Sequence, residues 1–62
     1  MIQQGTAVHY ITTQGNHRTV TVATVLSPFA FRTAEDRRYM IDGPRLYVHA
    51  GRNIRLTGYI HE

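Results

Sequence analysis

Phe29-Ala30-Phe31-Arg32-Thr33-Ala34-Glu35-Asp36-Arg37-Arg38-Tyr39-Met40-Ile41 decides the fold of this chain. Bulky apolar residues recur at every second position on both sides of Ala34-Glu35-Asp36, the period of a strand with one buried face. Folding the stretch at Ala34-Glu35-Asp36, with Thr33 opposite Arg37, sets Phe31 against Tyr39 and Phe29 against Ile41. Residues directly opposite in an antiparallel pair share a face, so the aromatic and aliphatic groups gather on one side. A competing reading takes Thr33 as a helix N-cap with Glu35 and Asp36 in the first turn. It makes one helical turn near residues 34–39. The alternation on both flanks favours the hairpin.

The same reasoning extends outward. Gly43-Pro44 suits a two-residue turn, with glycine at the positive φ of a type II′ first position. Ile41 then meets Leu46, and Tyr39 meets Val48. Gln14-Gly15-Asn16, read as a three-residue loop, sets Tyr10 against Val20 and Val8 against Val22, with His9 opposite Thr21 and Ile11 opposite Thr19. Gly51-Arg52-Asn53, read the same way, sets Val48 against Leu56 and Leu46 against Gly58. Strands are expected at about 6–13, 17–26, 29–33, 37–42, 45–50 and 54–61, rich in Val, Ile, Thr, Tyr and Phe.

The expected core is Val8, Tyr10, Val20, Val22, Phe29, Phe31, Tyr39, Ile41, Leu46, Val48, Ile54 and Leu56, joined by Leu26 and Ile60. The predicted fold is all-β: one domain over residues 1–62, an antiparallel meander of five to six strands curling into an SH3-like barrel. Curling hides the apolar face and shortens the open edges. A sandwich of two protomers is the second choice.

A chain of 62 residues without cysteine has no disulfide to staple a small core. Domains of this size bury only about 60% of the surface their unfolded chains expose, so a homo-oligomer is expected. Absence of cysteine fits the cytoplasm. Met1-Ile2-Gln3-Gln4 leads into a strand, with no leader pattern of basic then apolar residues. No apolar run approaches the roughly 20 residues that span a bilayer, so no membrane partner is expected.

The net charge is +3, and all seven basic side chains other than histidine are arginine. In the predicted registers, Arg32, Arg38, His49 and Arg55 form one outward row across four strands. Ala30, Met40, Tyr47 and Thr57 form the next. Asp42, Arg45 and Tyr59 form a third. Like charges facing each other across a sheet are destabilising, so such a row suggests an anionic partner. Guanidinium forks suit phosphates and tyrosines stack on bases. The first expectation is nucleic-acid binding, DNA or RNA, through Arg32, Arg38, Arg45, Tyr47, His49, Arg55 and Tyr59. The alternative is a protein-interaction module, such as an accessory or inhibitor protein of a mobile element, anchored by Met40 and Tyr47 with arginines at the rim. Asp42 opposite Arg45 would then be an ordinary surface pair, and Glu35, Asp36 or Glu62 would neutralise part of the row.

Catalytic chemistry is poorly provided for. The only serine, Ser27, precedes Pro28 and reads as a turn residue. There is no nucleophile elbow and no glycine-rich phosphate loop. His9, His17, His49 and His61 lack the close spacing of a zinc site, so neither metal nor cofactor is expected. A third reading, a protomer of an oligomeric ligand-binding protein or enzyme, requires a site shared between copies.

Overall fold

The computed structural model describes residues 2–61. Among them there is no helix. Seven strands form one antiparallel sheet: β1 (Ala7–Thr12), β2 (His17–Thr21), β3 (Thr24–Ser27), β4 (Ala30–Arg32), β5 (Arg38–Asp42), β6 (Arg45–Ala50) and β7 (Asn53–Ile60). Their order is β2-β1-β7-β6-β5-β4-β3, so the last strand returns to pair with the first.

The sheet curls into a half-barrel because its two edges are halves of one bent segment. Val22 N–H donates to the Thr6 carbonyl at 2.9 Å, while the next residue, Ala23, donates to the Arg32 carbonyl at 2.9 Å. The chain thus changes partner strand between adjacent residues. This corner splits the single strand expected at 17–26 into β2 and β3 and raises the strand number to seven. Val22, at the corner, is 1% exposed and anchors the bend in the core.

The β4–β5 hairpin forms in the expected register, with Phe31 opposite Tyr39 and Arg32 opposite Arg38. No helical turn occupies residues 34–39. Thr33 instead opens a tight loop in which its carbonyl accepts from Asp36 N–H at 2.9 Å. Its Oγ1 accepts from Arg37 N–H at 3.3 Å. Asp36 takes φ 66°, the left-handed conformation this loop requires at its third position. The β1–β2 hairpin uses the same device. The Thr12 carbonyl accepts from Gly15 N–H at 2.9 Å, its Oγ1 accepts from Asn16 N–H at 3.0 Å, and Gly15 has φ 90°. The loop is therefore Thr13-Gln14-Gly15, one residue earlier than expected. Val8 pairs with Val20 and Tyr10 with Arg18, a slip of two positions on β2 that leaves every residue on its predicted face.

The core consists of Val8, Tyr10, Val22, Phe31, Tyr39 and Leu46, with Ile2, Val20, Ile41, Val48 and Ile60 packed partly buried against it. The Phe31 and Tyr39 rings stack, with centroids 5.3 Å apart and planes 12° from parallel. Full burial of a side chain such as Phe31 contributes about 1.5–3 kcal/mol, and a stacked ring pair about 0.5–1.5 kcal/mol more. Four expected core residues lie outside the core: Phe29, Leu26, Ile54 and Leu56. Phe29 and Leu26 flank the β3–β4 turn, where an irregularity between Val25 and Ser27 breaks the alternation. Ile54 and Leu56 are turned out by the register of β7.

Candidate interaction face

The convex face of β4, β5, β6 and β7 carries the residues singled out from the sequence. Its geometry depends on two turns that begin with glycine. Gly43 (φ 60°) and Gly51 (φ 64°) each supply the positive φ of a first turn position. Gly43-Pro44 closes the β5–β6 hairpin with Asp42 opposite Arg45, Met40 opposite Tyr47 and Tyr39 opposite Val48, as expected. Gly51-Arg52 also closes a two-residue loop, with Ala50 opposite Asn53, where a three-residue loop was expected.

That one-residue difference inverts the faces of the first half of β7. Ile54 lies opposite His49, Arg55 opposite Val48 and Leu56 opposite Tyr47. An irregularity at Leu46/Tyr47 absorbs the extra residue, Thr57, and restores the expected pairs Leu46–Gly58 and Arg45–Tyr59. Thr57 Oγ1 is buried there without a hydrogen-bond partner.

The arginine row is therefore shorter than expected. Arg32 and Arg38 face each other directly. His49 shares their face by alternation along β6, but its β7 neighbour is Ile54. Arg55 leaves the row for the concave side, where it stays exposed at the end of the half-barrel. The middle row runs Ala30, Met40, Tyr47, Leu56. The third runs Asp42, Arg45, Tyr59, Ile11.

Charge on this face is compensated at Arg32. Arg32 Nε stands 3.1 Å from Asp36 Oδ1, between two exposed side chains. Arg45 lies opposite Asp42. Arg38 has no acidic residue across from it in either neighbouring strand position. Glu62, the third acid considered from the sequence, lies outside the described residues. At the centre of the face the surface is apolar. Met40, Tyr47, Ile54 and the protruding Phe29 line a groove of about 640 Å³, with Asp42 at its rim. Phe29 is 66% exposed and Ile54 51%.

No family model, curated protein or solved structure matches this chain. The residues themselves carry the functional reading.

Elsewhere, Tyr10 lies within electrostatic reach of Tyr39, Arg18 and Arg37 on the concave side. Burial raises the Tyr10 pKa above the usual tyrosine value, and Tyr39 adds to the shift. The Arg18 and Arg37 guanidinium groups oppose it. Arg18 is the direct cross-strand partner of Tyr10, whereas Tyr39 and Arg37 come near it through the curl of the sheet. His17 and His61 meet edge to face with ring centroids 5.9 Å apart. His9 Nδ1 is 3.0 Å from Thr19 Oγ1. Among the described residues, no three His, Cys, Asp or Glu side chains come together as a metal site.

Proposed function

We propose that this chain is a non-enzymatic interaction module whose convex face docks on a protein surface. The observation that carries the reading is the outward turn of Ile54 and Leu56, which replaces an arginine by aliphatic groups beside Tyr47 and Met40. The result is an apolar centre with arginines around it. Interfaces concentrate Tyr, Met and Arg in this way, with charged residues depleted from the middle. The Asp36 carboxylate paired with Arg32 supports the same reading, since a polyanion site gains from uncompensated charge. Met40, Tyr47 and Ile54 act as anchors, and Arg38 and His49 lie at the rim. The half-barrel, read as an SH3-like scaffold, serves to hold that face rigid.

A photo-crosslinking residue at position 47 tests this in cells that carry the native partners. Protein adducts from position 47, absent from the same residue placed at Arg52 on the loop tip, are expected. An absence of protein adducts from position 47 would overturn the reading.

Nucleic-acid binding is the second reading, favoured by the Arg32–Arg38 like-charge pair and the Arg45–Tyr59 pair. Arg32, Arg38, Arg45, Tyr47, His49 and Tyr59 would form its contact surface, without Arg55. Anisotropy titrations with single- and double-stranded DNA and RNA at two salt concentrations test it. Flat curves at low salt exclude it.

A further inference from the structure

We infer that the convex face pairs with a second copy of this chain, about a two-fold axis running along the Met40–Tyr47 row. The inference rests on the docking reading above and names its partner. Three observations point to self-association.

The charge pattern is its own complement. Arg38, Met40 and Asp42 alternate outward along β5. Arg38 and Asp42 are therefore about 13 Å apart, with Met40 midway between them. A two-fold axis in the plane of contact, crossing the strands at Met40 and Tyr47, lays β5 antiparallel on its copy. Each Arg38 then meets Asp42 of the other copy, and Met40 and Tyr47 meet their own counterparts. This also supplies the carboxylate that Arg38 lacks within its own chain.

The centre of the contact is apolar as well. Met40 and Tyr47 lie on the axis and line a groove with Ile54, which is 51% exposed. Exposed apolar groups of this kind gain from burial against a second copy.

Finally, the chain exposes more surface than its mass requires. A folded monomer of 7.1 kDa has an accessible area of about 4,100 Å². This one has 4538 Å². The whole molecule spans 28 × 27 × 21 Å between Cα extremes.

Light scattering after size exclusion, run over a dilution series, tests the axis through a charge exchange. The wild type should have twice the 7.1 kDa mass of one chain. Arg38→Asp places two carboxylates together across the axis, and Asp42→Arg places two guanidinium groups together. An isologous contact repeats each change, so either variant should weaken dimerisation by at least about tenfold. The double variant Arg38→Asp/Asp42→Arg restores opposite charges and should dimerise again. Circular dichroism verifies folding, and Arg38→Asp relieves the repulsion from Arg32 within its own chain. A monomeric wild type, a single variant that dimerises normally, or a double variant that stays monomeric would each overturn the inference. The crosslinking at position 47 separates this from the broader reading. Adducts to a different protein alone would refute self-pairing and leave protein docking standing.

Discussion

Gly58 lies against the backbone of Ile11 at the seam where the last strand joins the first. A Cβ at position 58 would collide with the Ile11 carbonyl and approach the Thr12 Cα to 3.0 Å. Both obstacles are backbone, so no rotamer change relieves the clash. The β1–β7 pairing is short, from Tyr10–Ile60 to Thr12–Gly58, and it ties the β1–β2 hairpin to the rest of the sheet. Gly58→Ala should force the strands apart and cost at least about 1–3 kcal/mol. Against a total stability of roughly 3–9 kcal/mol for a chain of this length, that is a large fraction. A thermal melt within 1–2 °C of wild type, on a scale of about 4–8 °C per kcal/mol, would show that the seam opens without cost.

The two three-residue loops make an internal comparison. Gly15 and Asp36 occupy the same left-handed position, at φ 90° and φ 66°. A left-handed residue with a Cβ is strained by roughly 1 kcal/mol, with aspartate more tolerant than alanine. Gly15→Ala and Asp36→Ala should each destabilise by about 1 kcal/mol. Asp36→Gly should be neutral to stabilising, although it removes the same carboxylate from Arg32 as Asp36→Ala does. Urea denaturation of the three variants separates the backbone from the ion pair. Equal losses for Asp36→Ala and Asp36→Gly would assign the effect to the Arg32 contact instead.

Those loops also explain how much of the fold the sequence revealed. Strand periodicity was legible, because a one-residue slip would carry Phe31, Tyr39 and Leu46 out of the core together. Loop phase was legible where glycine position was read by the φ it must adopt, as at Gly43-Pro44. It was missed at Gly15 and Gly51, where glycine was centred or counted without asking which turn position needs φ > 0. At Gly15 the error was two positions of pairing and changed no face. At Gly51 it was one residue, and it exchanged Arg55 for Ile54 on the convex surface. The residues singled out from the sequence therefore lie together on β4–β7 except for Arg55, and the apolar groups among them were undercounted. The Val22–Ala23 corner had no local signal. It arises from closure between β1 and β4, strands distant in sequence.

Tyr10 gives the fold a pH dependence in the alkaline range. Its folded pKa is raised, with burial the main cause. As pH climbs through about 10, the unfolded chain releases this phenolic proton while the native state still holds it. The native state then binds more protons, so stability falls with rising pH. The contribution is intact below the unfolded pKa and is lost as pH rises toward the folded value. Tyr10→Phe removes the ionisation, so its melting temperature should fall less steeply above pH 10 than that of wild type. Parallel curves from pH 8 to 11.5 would show that Tyr10 is not coupled to unfolding.

Arg38 and Tyr47 separate the two macromolecular readings, because each reading assigns the larger role to a different residue. A docking face centred on Tyr47 loses its best-packed anchor in Tyr47→Ala, a loss of about 2 kcal/mol or more in partner affinity. The salt dependence should change little, since no charge is removed. Arg38→Gln should act more weakly on docking to a protein other than this chain, because a rim charge alters association rate and salt response more than affinity. A phosphate-binding face behaves in the opposite way. Removing Arg38 would lower the slope of log K against log salt by about one unit and weaken binding to all sequences alike. Measuring both variants at two salt concentrations against a crosslinked partner and against single-stranded nucleic acid decides between them. The apolar centre predicts that Tyr47→Ala is the more damaging substitution and that its effect persists at high salt.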